Sequence, residues 1–347
     1  MRFLIKAFGY LVAWVVALFL MFLGYAYIKE YSPEDIEGIP VFGDSEVFGG
    51  DTISVLSWNV GYCGLGDDMD FFMDGGESSR TSRGRTLENL RTIKDSLLSW
   101  AEGLDFILLQ EVDRSSKRGY GVNQYDTLMK YLGSEFKGFY AANFRSFYVP
   151  IPVGDAIGDV DGGLVILSRS TPSSAQRISY PSVTSWPQSM FDLKRCMLSV
   201  SVPLSDTSQL WVVNTHNSAY DDGGGRTKEI SYLRSYLEDK PYSIVAGDWN
   251  TVPPSYQLSE AERTDEHFQV QRLEERDLPQ GFSVATDLSA HSARYGYEPY
   301  NEATTTRTLI DYAIYSPRLR VVSTQYIDLN YKSSDHNPVL FRFVIEK

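Results

Sequence analysis

Cysteine and histidine are both scarce in this chain, and their scarcity removes whole classes of protein. Only Cys63 and Cys196 occur in 347 residues. They lie far apart in sequence, so they are either one disulfide or two free thiols, and they do not fix a redox compartment. No Cys-x-x-Cys pair and no His-Glu-x-x-His run is present, which leaves no recognisable zinc site. Internal repeats and low-complexity blocks are also missing, so solenoids and disordered arrays are excluded. Positive charge is in deficit: 32 Lys and Arg stand against 45 Asp and Glu, a net charge of −13. A protein gripping nucleic acid mainly through phosphates would work against its own mean field unless a local basic patch overrode it.

What is plentiful is apolar. Hydrophobic residues make up 43% of the chain and aromatic ones 14%, in the range that supports a sizeable globular core. Ala7 to Tyr27, AFGYLVAWVVALFLMFLGYAY, carries no charge, and as a helix it would span roughly 30 Å of hydrocarbon. Arg2 and Lys6 precede it, whereas Lys29 is followed by Glu30, Glu34 and Asp35. The positive-inside rule then leaves the N-terminus in the cytoplasm and the remainder outside it. Trp14, Tyr10, Tyr25 and Tyr27 suit a membrane interface. Gly24-Tyr25-Ala26 is a weak cleavage site, so the alternatives are a retained anchor over residues 1–31 and a cleaved signal.

Residues 32–50, rich in Pro, Gly and acidic side chains without periodicity, read as a linker off the membrane. The folded domain is expected over 51–347, about 300 residues and enough for one large domain or two small ones. Ile53 to Trp58 reads as a strand ending at Asn59. Arg83 to Trp100 has helical spacing in Leu87, Leu90, Ile93, Leu97 and Leu98, and Asp105 to Gln110 reads as a buried strand ending at Glu111. This βαβ-like unit delivers Asn59 and Glu111 to one edge. Further strands are expected at 162–168, 195–202, 210–215, 243–246, 308–315, 320–328 and 339–345, with a short helix at 228–237. Many strands, few helices and both alternating and continuous apolar patterns favour two packed sheets with helices outside.

Polar groups suited to proton transfer and to hard cations fall at the ends of these runs. The stretch Ser333-Ser334-Asp335-His336-Asn337-Pro338 places a carboxylate beside an imidazole just before an apolar strand, where a proton can be taken from water. Asn59, Glu111, His216, Asp248, Asn250 and Asp311 each stand at or just past the end of an apolar run. Oxygen and imidazole groups from several strand ends suit a divalent cation and a phosphate ester. Taken singly, Asn59 caps a turn, Glu111 is a surface carboxylate, and Asp248 with Asn250 forms an Asx-turn.

In order, the motifs are Ser57-Trp58-Asn59, Leu109-Gln110-Glu111-Val112, Asn214-Thr215-His216, Gly247-Asp248-Trp249-Asn250, Ile310-Asp311-Tyr312 and Ser334-Asp335-His336, with Gly163 to Ser168 as a lesser one. This order resembles the endonuclease/exonuclease/phosphatase superfamily, which includes pancreatic deoxyribonuclease and magnesium-dependent sphingomyelinases, over about residues 51–347. The resemblance implies an α/β fold, a four-layered α/β/β/α sandwich of two mixed sheets, here preceded by one N-terminal transmembrane helix. It implies a metal-dependent phosphoesterase in which Glu111, assisted by Asn59 and Asp335, binds Mg²⁺, with Mn²⁺ as an alternative. His336 is then the general base, oriented by Asp311. Asp248 and Asn250 orient water and hold phosphoryl oxygens, and His216 contacts the phosphate or assists the leaving group.

The chemistry agrees with those roles. Mg²⁺ needs few protein carboxylates, a neutral imidazole can deprotonate water, and an Asp on its second nitrogen fixes the tautomer. His267 and His291 are assigned no role. Open features are the loop 64–76, where Phe71, Phe72 and Met73 form an apolar lip, a Ca²⁺ loop or an ordinary packed loop, and the turn Asp221 to Arg226, whose arginine either reaches a phosphate or caps the next helix. The expected partner is a phosphoester, possible forms being a lipid headgroup at the membrane or a small soluble ester. An exported endonuclease is the alternative and would need a basic groove, with Arg80, Arg83, Arg85, Lys117 and Arg118 as its candidates. A catalytically inactive binding module is a further alternative.

Overall fold

The computed structural model describes residues 1–205, 207–219, 224–265 and 271–346. The chain starts with helix α1 (Arg2–Lys29), a short strand β1 (Ile36–Gly38), strand β2 (Thr52–Asn59), helix α2 (Arg83–Trp100), strand β3 (Phe106–Asp113) and helix α3 (Gln124–Leu132). A long hairpin follows, β4 (Lys137–Val149) and β5 (Gly158–Ser168), and then β6 (Ser174–Ser179), β7 (Cys196–Ser205) and β8 (Ser208–His216). Helix α4 (Gly225–Leu237) leads to β9 (Ser243–Asp248) and to helix α5 (Glu260–Thr264). The last strands are β10 (Ser283–Ala285), β11 (Ala293–Arg294), β12 (Arg307–Thr308), β13 (Asp311–Tyr315), β14 (Leu319–Tyr326) and β15 (Val339–Ile345).

Two mixed sheets result. One has six strands in the order β14-β15-β2-β3-β5-β4, and the other has seven in the order β1-β6-β7-β8-β9-β13-β10. Each contains one parallel pair, β2 with β3 and β8 with β9, flanked by antiparallel neighbours. Val55, Phe106, Leu108, Ile166, Val200, Val212, Ile244 and Phe341 meet between the sheets. The opposite face of the six-stranded sheet is covered by Leu90, Ile93 and Leu97 of α2 with Leu128 and Leu132 of α3, and that of the other sheet by Leu233 and Leu237 of α4. This is the expected α/β/β/α layering. Each core side chain of leucine or phenylalanine size contributes about 1.5–3 kcal/mol by leaving water.

Helix α2 begins where Ser82 accepts a hydrogen bond from the Arg85 backbone N–H at 3.2 Å, an N-cap before the apolar spacing starts. Of the five residues that suggested it, Leu90, Ile93 and Leu97 are buried, while Leu87 and Leu98 lie outside. The single strand expected over 308–315 is two, because the backbone N–H groups of Ile310 and Asp311 both donate to Ser292 Oγ in the break between them.

Residues 32–50 differ from the expected free linker. Ile36–Gly38 adds an edge strand to β6, Phe48 is buried in the core between the sheets, and Glu46 N–H and Phe48 N–H donate to Thr171 O and Pro203 O. Backbone pairing, which carries no apolar signature in three residues, makes this segment part of the fold. Helix α1 is long and apolar enough to cross a membrane by length and composition. Cys63 and Cys196 are both buried free thiols.

Candidate active site

The first half of the site comes from the parallel pair β2–β3. Asn59 closes β2 opposite Gln110, and the β3–β5 pairing slips between Leu109 and Val112. Within that bulge Glu111 takes φ 56°, a left-handed conformation uncommon for a side chain of its size, and bulges of this kind re-aim a side chain at a sheet end. Glu111 Oε1 lies 3.2 Å from Asn59 Nδ2 as a result. The same amide nitrogen donates to Asp248 Oδ2 at 3.0 Å across the gap between the sheets, while Asn59 Oδ1 accepts from Gly61 N–H. Asn59 therefore faces both carboxylates with its nitrogen.

The second half is a row across three adjacent strands: His216 of β8 is in register with Asp248 of β9, and Asp248 with Asp311 of β13. Asp248 Oδ2 is the hub, 3.5 Å from His216 Nε2 and 3.6 Å from His336 Nε2. Its other oxygen accepts from the Asn250 backbone N–H at 2.9 Å, and the Asn250 amide donates to Asn217 O. His336 Nδ1 and Asp311 Oδ2 are 2.7 Å apart. The histidine backbone is pinned by Trp58 Nε1 on its carbonyl and by its own N–H on Ser334 Oγ, which itself donates to Asn59 O.

Asn59, His216, Asp248, Asp311 and His336 are buried, and Glu111, Asn250 and Asp335 keep part of their surface open. Burial pushes Asp335 up to about 7, with the charge of Glu111 adding to the shift and His336 opposing it. Burial and the neighbouring Asp311 push Asp248 up to about 6 against His336. For His336 burial disfavours the cation, but the carboxylates of Asp311 and Asp248 outweigh it and hold the ring well above the ordinary histidine value. His216 goes the other way: burial, then the Arg195 and His336 charges, keep it neutral. Among the described residues its Nδ1 has no hydrogen-bond partner, and neither has Asp311 Oδ1.

The charge of Glu111 thus disfavours ionisation of the neighbouring Asp335 carboxylate in a setting of hard oxygen groups, which fits a divalent cation. Donor atoms of Asp248, Asp311 and His336 also lie within 4.8 Å of one another. At 2.7 Å, however, His336 and Asp311 are closer than the roughly 3 Å that separates neighbouring oxygens around a small octahedral cation. That pair shares a proton.

All eight residues read from the sequence are brought to one end of the sandwich. The loop over residues 64–76 is largely packed against the domain. Phe71 packs on Tyr62, Phe72 joins Val149, Ile157 and Val160, and Asp74 accepts from Gly296 N–H, so the expected apolar lip at 71–73 is mostly packed, with only Met73 exposed. Asp67 and Asp68 are bound by Arg85, which speaks against the Ca²⁺ reading of this loop. Arg226 is buried and donates to Ser218 O and Ala219 O; residues 221–223 and His267 lie outside the described residues. Of the basic-groove candidates, Arg80 binds Asp155, Arg85 binds Asp67 and Asp68, Lys117 donates to Ala156 O, and Arg118 is buried on Asp113 with its guanidinium 3.9 Å from the Tyr62 ring centre. Sequence reading missed Gly61, Ser292 and Asn217, which hold the site through backbone or amide contacts; only Gly61, at φ 49° with Asp335 Oδ1 against the place of a Cβ, left a signal in being glycine.

A sandwich of two mixed sheets with a histidine–aspartate pair and clustered carboxylates at one end defines a class of phosphoester hydrolases. The chain belongs to the Endonuclease/Exonuclease/phosphatase family, whose model matches residues 56–336. No curated protein matches it in sequence. Solved structures with the same fold include an endonuclease/exonuclease/phosphatase from Beutenbergia cavernae, with 18% identity over 86% of this chain and 72% of that one and a TM-score of 0.59. D. rerio TDP2 complexed with a single-stranded DNA product follows at 16% identity over 85% and 99% and a TM-score of 0.52. The human Nocturnin catalytic domain with bound sulfate anion has 17% identity over 87% and 96% and a TM-score of 0.51.

Proposed function

We propose that this chain is a divalent-metal-dependent hydrolase of phosphoester bonds in which His336 takes the proton of the attacking water. The observation that carries the reading is the 2.7 Å contact between His336 Nδ1 and Asp311 Oδ2, with Nε2 turned toward Asp248 and the Asn59–Glu111 pair. Asp311 keeps the Nδ1 proton in place, leaving Nε2 as the acceptor. Asp248, fixed by Asn59 and by Asn250 N–H, orients the water; Asn250 supplies an amide and His216 an uncharged ring N–H for phosphoryl oxygens. Glu111 and Asp335 would hold Mg²⁺, or Mn²⁺, with Asn59 positioning Glu111. The bound cation supplies neutralisation of charge on the phosphoryl group.

Substrate choice rests on charge and on α1. With a net charge of −13 and with Arg80, Arg85 and Arg118 tied to carboxylates, a lipid headgroup or small ester fits better than a polyanion. The nuclease reading is kept alive by the likeness to a DNA-processing fold. An inactive binding module is disfavoured because every expected core position is occupied. We place the catalytic domain outside the cytoplasm, on the basis of Arg2 and Lys6; an export-dependent reporter fused after Lys347 is expected to be active, and a silent one reverses the topology.

The test is hydrolysis by the full chain of sphingomyelin, phosphoinositides, an aryl phosphodiester and plasmid DNA, with and without EDTA. At least one phosphoester is expected to be cleaved, with activity lost in EDTA and reduced by orders of magnitude in Glu111→Gln while the fold remains. Full activity in either condition, or none on the panel, sinks the proposal.

A further inference from the structure

The C-terminal end of α1 is packed onto the domain. Phe22 stacks on Phe191 with ring centres 5.9 Å apart, Tyr25 meets Phe147 edge-on at 5.4 Å, and Ala26 is fully buried. Past the helix, Glu30 pairs with Lys194 at 2.9 Å, the Arg145 guanidinium lies 4.8 Å from the Tyr31 ring centre, and β1 then pairs with β6. Continuous contact from residue 22 to residue 38 leaves little freedom between helix and sandwich.

Strand polarity tells which end of the sandwich the helix meets. β2 and β3 both finish at the site, so antiparallel β5 starts there, with Gly162 opposite Asp113, and β4 finishes there, with Val149 opposite Gly158. In the other sheet β8 finishes at His216. Antiparallel β7 therefore starts at that end, with Met197 opposite Thr215; β6 finishes there, with Ser179 opposite Cys196; and β1 starts there, with Ile36 opposite Ile178. The helix thus docks at the active-site end.

Apolar side chains stand exposed around that docking point. Val153 is 99% exposed in the turn joining β4 to β5, beside Tyr148 and Ile151, and Trp186 is 59% exposed in the segment joining β6 to β7, near Val183. These two segments flank Phe147 and Phe191, the residues on which α1 rests. Phe22 lies six residues before the end of the uncharged run at Ile28, about 9 Å along the axis, so its partners sit at the depth of the bilayer interface.

We infer that the sandwich lies with its active-site end against the bilayer, the 150–157 turn and the 181–190 segment seated among the lipid headgroups, so that the cleft opens onto the lipid surface. The inference rests on the reading of α1 as a membrane span and gives the phosphoester reading its source of substrate: the headgroup layer of the same membrane. Tryptophan, tyrosine and branched aliphatic side chains suit that layer without a need for anionic lipid.

The experiment uses the full chain in zwitterionic phosphatidylcholine nanodiscs. Single cysteines introduced as Val153→Cys and Trp186→Cys carry an environment-sensitive fluorophore; the native thiols are buried and stay unlabelled. Asp239→Cys is the control, since Asp239 precedes β9 and lies at the opposite end of the sandwich, and Leu18→Cys reports on α1. Blue-shifted emission at 153 and 186, quenched several-fold more strongly by spin-labelled lipid than at 239, is expected. If the 186 variant fails to fold, 153 alone decides. Water-like emission at 153 equal to that at 239 overturns the orientation, and water-like emission at 18 overturns the anchor and the orientation together. The readout needs no turnover, so inactivity on every phosphoester refutes the proposed chemistry and leaves this result standing.

Discussion

Replacing Asp311 by Asn separates the two jobs assigned to its carboxylate. The 2.7 Å contact with His336 is a charge-assisted hydrogen bond between buried groups, and loss of its charge costs about 1.5–3 kcal/mol. If that stabilisation belongs to the imidazolium formed as the water proton arrives, kcat falls roughly 10- to 10²-fold. His336→Ala removes the base itself and should cost more, about 10²- to 10⁴-fold. The pH dependence gives the sign. Protonated His336 cannot accept a proton, so activity falls as pH drops through its pKa, and Asp311 is the largest influence raising that pKa. In Asp311→Asn the acidic limb must therefore move to lower pH even as the plateau falls. The assay is a kcat profile on an aryl phosphodiester at saturating Mg²⁺. A plateau within a few-fold of the parent with an unmoved limb, or a limb displaced upward, refutes the assignment of the pair.

Other outcomes follow from the same geometry. Arg118→Met leaves Asp113 buried without its partner and should lower stability by about 3–5 kcal/mol in urea unfolding, with Asp113→Asn in the same chain recovering part of it; a loss under about 1 kcal/mol together with selective loss of DNA cleavage would return Arg118 to the nuclease reading. Asp335 at about 7 and Asp248 at about 6 are raised above the usual 3.8, so the stability they contribute to the metal-free chain is full below that value and lost as pH rises through 6 to 7. Metal-free Tm should fall between about pH 5 and about pH 8, and added Mg²⁺ should raise Tm more at the higher pH; equal increments at both would place the cation elsewhere.

Helix α2 was legible to the residue because Leu87, Leu90, Ile93, Leu97 and Leu98 repeat at the helical period, and the Ser82 cap that starts it is seen only in the structure. Strands β2, β3, β8 and β9 were legible because their apolar runs end in polar residues that the site uses, and β7 and β15 were legible from their apolar runs alone. Strand β4 was not: its pairing with β5 slips twice, between Ala142 and Phe144 and between Ser146 and Val149, and each slip breaks the period of two by which a strand is read. Strand β1 lacked any apolar face, since only its backbone does the pairing. Within the site, the residue types at strand ends were readable, whereas the meeting of Asp248 with both histidines depends on register between strands that are distant in sequence. The contacts made by Ser292 and Asn217 have no sequence signature at all.

One pair of amides sits directly behind the cleft. Gln110 Nε2 donates to Asn214 Oδ1 at 2.7 Å, and the Asn214 nitrogen donates to Leu109 O and Val165 O in the facing sheet, all within the core. A hydrophobic interface is indifferent to small sliding, because area changes little as two greasy faces shear. This amide bolt is not: sliding by an ångström strands several buried polar groups at once, each costing about 1–3 kcal/mol. Glu111 follows Gln110 by one residue and His216 follows Asn214 by two, so the bolt sets the alignment of the two sheets at the point where their catalytic groups must meet. An apolar pair of the same volume would leave the sandwich folded and let that alignment wander.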